Sequence, residues 1–264
     1  MPSNPLLKVE NVGIQFGGLK AVSNFNLEIN QGELVGLIGP NGAGKTTSFN
    51  LLTGVYKPTE GEILLNGHRI NGMAPYQITR RGISRTFQNI RLFNELSVLD
   101  NVKVAYHTLA KHSVLSSVLR LPSYFSGEKE MEKKAMELLE IFGLDQYKDE
   151  NAKNLAYGKQ RRLEIARALA TGPELLLLDE PAAGMNPQET KDLMELIAFV
   201  REKFNLTILL IEHDMNLVMG ICERIYVLDH GVLLAEGLPE EIRGNPDVIK
   251  AYLGEEVHHE HVKN

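Results

Sequence analysis

Nine consecutive residues, Gly39-Pro40-Asn41-Gly42-Ala43-Gly44-Lys45-Thr46-Thr47, constrain this chain more than any other stretch. They fit G-x-x-x-x-G-K-[ST], the pattern of a phosphate-cradling P-loop. A triphosphate is a dense anion and needs several backbone N–H donors at once, with a helix N-terminus aimed at it. Side chains would block that approach, which accounts for Gly39, Gly42 and Gly44. Lys45 is placed to reach the β- and γ-phosphates, and the Thr46 hydroxyl to ligate Mg²⁺. The flanks agree. Residues 33–38 form a short apolar run that reads as a buried strand. Residues 46–53 read as a helix with Gly54 as its stop. A chance match in a glycine-rich turn is the plain alternative, and the order strand, loop, helix argues against it.

Composition narrows the classes. A chain of 264 residues allows one large domain or two small ones. Its 43% hydrophobic and 23% charged residues are those of an ordinary globular protein. A formal net charge of -6 does not suggest general nucleic-acid binding. Cys222 is the only cysteine, so no intrachain disulfide forms and no oxidising compartment is needed. The first residues, Met-Pro-Ser-Asn-Pro, lack the pattern of a secretory signal. No apolar run approaches the roughly 20 residues that span a bilayer. The expected location is the cytoplasm, with any membrane contact made through a partner.

Ahead of the loop, residues 6–16 alternate as a strand, Gly17-Gly18 turns, and residues 21–29 make another strand. Behind it, residues 62–65 read as a strand ending at Asn66-Gly67. Short antiparallel strands are therefore expected around the loop. Phe16 is either an aromatic that stacks on an adenine or a core ring closing a small sheet. Residues 75–82 read as a short helix and 83–87 as a strand ending at Gln88.

From there to about Arg167 the pattern is helical. Met131, Ala135, Leu138, Leu139 and Phe142 form one apolar face within residues 128–142. Residues 108–126 are rich in leucine and valine and poor in charge. They read as a helical lid packed on its own domain, or as an apolar contact with another protein. Leu175-Leu176-Leu177-Leu178 suits a central parallel strand buried on both faces, and open α/β sheets bind ligands at the C-terminal ends of such strands. A helix over 187–203, a strand over 206–211 and a hairpin over 226–236 follow. The tail at 255–264 carries His258, His259 and His261 and reads as a disordered end rather than a metal site.

ATP hydrolysis needs a metal facing the phosphates and a group that orients or deprotonates water. Asp179 and Glu180, ending the leucine strand, suit those roles in that order. Alone they would be a strand end reaching solvent; the P-loop upstream reverses that reading.

The segment from Asn154 to Ala170, which reads Asn-Leu-Ala-Tyr-Gly-Lys-Gln-Arg-Arg-Leu-Glu-Ile-Ala-Arg-Ala-Leu-Ala, makes the resemblance specific. Placed ahead of Leu-Leu-Leu-Leu-Asp-Glu-Pro, it resembles the signature segment of ATP-binding cassette (ABC) transporter ATPases, and the likeness covers nearly the whole chain. The resemblance implies an α/β fold: a P-loop NTPase cassette with a RecA-like core, an antiparallel β subdomain and an inserted helical subdomain. Core 1–88 and 167–254, helical subdomain 89–166 and tail 255–264 follow from it as one ABC ATPase domain.

It also assigns residues. Phe16 matches the adenine-stacking aromatic and Gly39, Pro40, Asn41, Gly42, Ala43, Gly44, Lys45, Thr46 and Thr47 the Walker A loop. Gln88 matches the Q-loop glutamine, and Thr46, Gln88 and Asp179 the Mg²⁺ set. Glu180 matches the catalytic glutamate and His213 the switch histidine. The signature reads Leu155-Ala156-Tyr157-Gly158-Lys159 where most of the family has Leu-Ser-Gly-Gly-Gln, and it is expected to close on the ATP held by a partner ATPase. The D-loop reads Ala183-Gly184-Met185-Asn186, with Asn where Asp is usual.

These variants, with Arg85-Thr86-Phe87-Gln88-Asn89-Ile90-Arg91-Leu92-Phe93, are similar to the LivG-type ATPases of bacterial branched-chain amino acid importers. That branch implies ATP hydrolysis with Mg²⁺ and a peripheral position on the cytoplasmic face of the bacterial inner membrane. It implies permease subunits in the membrane, a second and different ABC ATPase, and an external substrate-binding protein. Alternatives are an ABC ATPase for another cargo, such as a lipid or an export substrate, a soluble ABC-type ATPase, and a nucleotide-dependent binding module. Glu180 and His213 argue against the last.

Overall fold

The first two strands, β1 (Leu7–Phe16) and β2 (Leu19–Ile29), fold back on each other across the Gly17-Gly18 turn. The computed structural model describes residues 5–107 and 122–252. The leucine- and valine-rich stretch of 108–126 falls largely outside the described residues, and the histidine-bearing tail falls wholly outside them. After β3 (Leu34–Ile38) come α1 (Lys45–Leu52), β4 (Glu60–Leu65) and β5 (His68–Arg69). Strands β2, β1, β4 and β5, in that order, make an antiparallel sheet.

A second sheet carries the centre of the molecule. It takes in β6 (Ile83–Arg85), β7 (Leu175–Asp179), β8 (Thr207–Ile211), β9 (Arg224–Asp229) and β10 (Val232–Gly237), in the order β10-β9-β3-β8-β7-β6. All its pairings are parallel except the edge hairpin β9–β10. Strands β3, β7 and β8 are buried at every position, which is why their sequences are near-continuous aliphatic runs rather than alternating ones.

Alternation still sorts their side chains. Leu176, Leu178, Ile208 and Leu210 face one apolar cluster, while Leu175, Leu177, Leu209 and Ile211 face another on the opposite side. Each fully buried leucine contributes roughly 1.5–3 kcal/mol of transfer free energy. The antiparallel sheet and α1 cover the second face. Helices cover the first: α3 (Val98–His107), α4 (Pro122–Ile141), α5 (Tyr157–Leu169), α6 (Pro187–Phe204) and α7 (Met215–Ile221). The short helices α2 (Pro75–Arg80) and α8 (Pro239–Arg243) complete the set named here.

The helical stretch expected over 89–167 is not continuous. Its first helix starts at Val98, and residues 142–156 hold only short 3-10 turns. Met131, Ala135, Leu138, Leu139 and Phe142 do face the core together. Helix α5 runs straight through position 167, so the expected subdomain boundary falls inside one element. No helix among the described residues is long and apolar enough to cross a membrane.

Candidate active site

The sheet order decides which loops meet. The loop after β3 carries residues 39–44, the loop after β6 carries Thr86 to Gln88, the end of β7 carries Asp179 and Glu180, and the end of β8 carries Glu212 and His213. These are the C-terminal ends of adjacent parallel strands, where the strand connections change direction across β3.

The loop itself is shaped by backbone crowding. Gly39 has φ +150, and a Cβ there would lie 2.1 Å from the Leu228 carbonyl oxygen, so no side chain fits. Gly44, at φ 100, is the N-cap of α1. The buried Lys45 ammonium donates to the carbonyls of Gly39 at 2.5 Å and Pro40 at 2.8 Å, folding the loop around its own cation. The start of α1 adds the partial positive charge of a helix N-terminus.

A cleft of about 520 Å³ opens over this loop. It is lined by residues 41–47, Gln88, Glu180 and His213, together with Leu19, Lys20, Ala21 and His230. Gln88 Nε2 donates to Glu180 Oε2 at 2.6 Å, and His213 Nε2 lies 2.5 Å from Glu180 Oε1. Both oxygens of one carboxylate are thus held. Glu180 itself sits at φ 46, a left-handed backbone that non-glycine residues adopt at a cost of order 1–3 kcal/mol. Its N–H, donated to the Ile211 carbonyl at 2.9 Å, fixes that turn. Beside it, burial pushes the Glu212 carboxyl up, against the opposing N–H bonds from Ala182 and His213.

Asp179 is close by but engaged. Arg85 Nη2 donates to its Oδ2 at 2.6 Å, while Arg85 Nη1 donates to Asn50 Oδ1 at 2.7 Å. The Arg85 guanidinium also stacks between the rings of Phe49 and Phe87, 5.3 and 5.1 Å from their centroids. The oxygen donors of Thr46, Gln88 and Asp179 are hard ligands, and among the described residues no group of three or more His, Cys, Asp or Glu is arranged to hold a metal ion by itself. That sparse oxygen set fits Mg²⁺, which keeps waters and shares substrate phosphates instead of filling an all-protein cage.

Other residues singled out in the sequence are not among those lining the cleft. Phe16 is 45% exposed at the end of β1 and packs edge-on to Tyr56, with centroids 5.1 Å apart; it is not a core ring. Leu155 is buried, Ala156 is the N-cap of α5 without a side-chain bond, and Tyr157 and Gly158 begin the helix. Lys159 folds onto Tyr147, donating to its Oη at 2.7 Å and lying 4.1 Å from the ring centre. The structure therefore brings Gln88, Glu180 and His213 to the P-loop and leaves the signature elsewhere on the surface of the same chain.

Sequence reasoning gave no individual role to Arg85, Arg161, Glu164 or Glu212. Arg161 is completely buried and pairs with Glu164 at 2.8 Å. Burial raises the Glu164 carboxyl, partly offset by backbone bonds from Arg91 and Phe87 and by the Arg161 charge. An arginine three positions before an acid on a helix is a readable pair; its burial is not readable without the loop it holds.

A glycine loop on a helix N-terminus, facing a carboxylate held from both sides, defines a P-loop nucleotide-binding cassette. A family model described as "ABC transporter" matches residues 22–183, and one described as "Branched-chain amino acid ATP-binding cassette transporter" matches residues 232–258. The high-affinity branched-chain amino acid transport ATP-binding protein LivG of Escherichia coli K12 is 56% identical over 253 residues, covering 96% of this chain and 99% of LivG. Among solved structures, an ABC transporter ATP-binding cassette in its ADP conformation superposes with a TM-score of 0.82 at 32% identity, covering 95% of this chain and 99% of that one. A dimeric cassette in a post-hydrolysis state, bound to ADP and Pi, gives a TM-score of 0.74 at 29% identity over 88% of this chain and 98% of that one. The chain belongs to the ABC transporter ATP-binding family, and its C-terminal region matches the branched-chain amino acid branch.

Proposed function

We propose that this chain is the ATP-hydrolysing subunit of a bacterial importer of branched-chain amino acids. The Glu180 carboxylate carries the reading: it is held by Gln88 and His213 over the lysine-bearing loop. Lys45 and the backbone N–H groups of residues 41–47 bind the β- and γ-phosphates, and Phe16 lies against the adenine. Thr46, Gln88 and Asp179 would hold Mg²⁺, which when bound would neutralise charge on the phosphoryl oxygens. Glu180 orients a water and takes its proton as the oxygen bonds to the γ-phosphorus. The bond from that phosphorus to the bridging oxygen breaks, giving ADP and phosphate. His213 keeps the carboxylate aimed.

Sequence identity to LivG and the C-terminal family match support the cargo. The same kinship supports permease subunits as partners, an external substrate-binding protein acting through them, and a place on the cytoplasmic face of the inner membrane. Residues 89–166 act as the helical subdomain, between the nucleotide core and the permease. Phe93 and Leu96 are exposed there, while Leu92 packs toward the core. Phe93 and Val104 border a groove of about 230 Å³ with Arg167, a seat for a permease helix. The dimeric relative supports a second ATPase whose ATP meets Leu155, Ala156, Tyr157, Gly158 and Lys159.

Two variants test the catalytic reading. Lys45→Ala removes nucleotide binding, measured by titration calorimetry. Glu180→Gln keeps binding and lowers turnover about 10²–10⁴-fold, the range for a lost general base. Near-normal steady-state hydrolysis by Glu180→Gln in the assembled transporter would remove Glu180 from that role.

A further inference from the structure

Tyr157 stands where most signatures in the family have a glycine, and its side chain makes bonds that a glycine cannot. The Oη donates to the Ala183 carbonyl oxygen at 2.9 Å. The ring lies over Gly184, which has φ +77; a Cβ at that position would sit 3.5 Å from Tyr157 Cε1. Both contacts tie the first residue of α5 to the loop that leaves Glu180.

The other side of the hydroxyl faces Arg161. Arg161 Nη2 donates to Tyr157 Oη at 3.3 Å and to the Gln88 carbonyl at 2.6 Å. Its Nη1 donates to the Phe87 carbonyl at 2.6 Å and to Glu164 Oε2 at 2.8 Å. Glu164 Oε1 in turn accepts the Arg91 N–H at 3.1 Å. A guanidinium is planar and its donors are fixed in a fork, so two loop carbonyls and a hydroxyl held by one buried fork move together. The phenol both accepts and donates, and a hydroxyl polarised on one side binds more strongly on the other. A continuous hydrogen-bonded path thus runs from the Gln88 backbone through Arg161 and Tyr157 to Ala183. Gln88 begins the path with its amide on Glu180, and Ala183 ends it three residues after Glu180.

We propose that Tyr157 is a positioning residue that reports this chain's own nucleotide to its own signature helix and D-loop. A shift of Gln88 toward or away from Glu180 moves the Arg161 fork. That movement reaches Tyr157 and Ala183 as one displacement. The inference rests on the ABC reading, in which the signature faces the ATP of the opposite subunit, so each site would sense the other through a side chain most of the family lacks.

Tyr157→Phe is the sharp variant, because it keeps the ring over Gly184 and removes only the hydroxyl. The measurement is amide hydrogen exchange of the full chain with and without Mg²⁺ and the β,γ-imido analogue of ATP. In the unaltered chain, nucleotide should change exchange at 86–91, 156–160 and 182–185. In Tyr157→Phe the response at 86–91 should persist, while that at 182–185 should shrink by roughly 3- to 10-fold, the span for one lost neutral hydrogen bond. In the assembled transporter, kcat should fall with KM for ATP unchanged. Arg161→Lys keeps the charge but not the fork, and should give the same loss at 182–185. Equal responses at 182–185 in the unaltered chain and in Tyr157→Phe overturn the inference. No response at 86–91 in the unaltered chain overturns the nucleotide reading, and this inference with it.

Discussion

Arg85 is a buried cation answered by one carboxylate, with side-chain exposures of 6% for Arg85 and 4% for Asp179. Removing one member of such a pair leaves an uncompensated charge, which is destabilising by about 3–5 kcal/mol. Arg85→Met should therefore lower the urea midpoint strongly, and Arg85→Met with Asp179→Leu should recover much of the loss. A single variant as stable as the unaltered chain would mean that water already screens Asp179. At this scale the sequence was legible where chemistry is local. The P-loop is contiguous, Asp179 ends β7, and Glu180, His213 and Gln88 follow one, two and three residues after the ends of β7, β8 and β6. Arg85 and Arg161 were not legible, because Arg85 meets Asp179, 94 residues away, only once β6 pairs with β7, and Arg161 meets Phe87, 74 residues away, only once its helix packs on the loop after β6.

Among the elements, α6 shows how a residue that reads as a deviation can have a plain structural task. Asn186 replaces an aspartate usual in the family. Its side-chain oxygen accepts the N–H groups of Gln188 and Glu189, both at 3.0 Å, and Glu189 returns a bond to the Asn186 N–H at 3.0 Å. That is a full capping box, with Pro187 at the first helical position. Asn and Asp cap almost equally well, so Asn186→Asp should leave stability unchanged within a few tenths of a kcal/mol. Asn186→Ala should cost about 1 kcal/mol, read as a shift in denaturant midpoint. Equal midpoints for the unaltered chain and the alanine variant would show that the cap is replaced by water. The expected helix over 187–203 matches α6 to within a residue because the cap and the apolar spacing are both local. The pattern over 89–167 over-extended the helices: residues 89–97 are mostly exposed, with only Leu92 packed on the core, so nothing in that stretch anchors a helix.

For the whole molecule, the two faces of the parallel sheet divide the work. One face packs on the P-loop helix and the antiparallel strands, and the other on the helices that carry the signature. A chain paired only with its copy would present Ala156 and Tyr157 to both ATP molecules. A different partner would leave one site a signature with the usual serine donor. A charge-assisted hydrogen bond is worth about 1.5–3 kcal/mol, so the two sites would differ in turnover. Changing Ala156-Tyr157 to Ser-Gly should then alter hydrolysis at the partner's P-loop more than at Lys45. Inactivating each P-loop lysine in turn in the assembled complex separates the two. An effect confined to the Lys45 site would reverse the cross-subunit assignment.

The carbonyls that hold the Lys45 ammonium also set a rule for traffic through the loop. On the proposed reading, an arriving phosphate would not meet a bare charge; it would displace Gly39 and Pro40 from a donor they already hold. Departure is the same trade in reverse, with the ammonium returning to oxygens of its own loop. Entry and exit would therefore be exchanges of hydrogen-bond partners at one ammonium, with the charged phosphate oxygens the stronger acceptors. A nucleotide-driven engine needs to let go of its product as readily as it takes up fuel, and this lysine gives the loop a place to return to after every stroke.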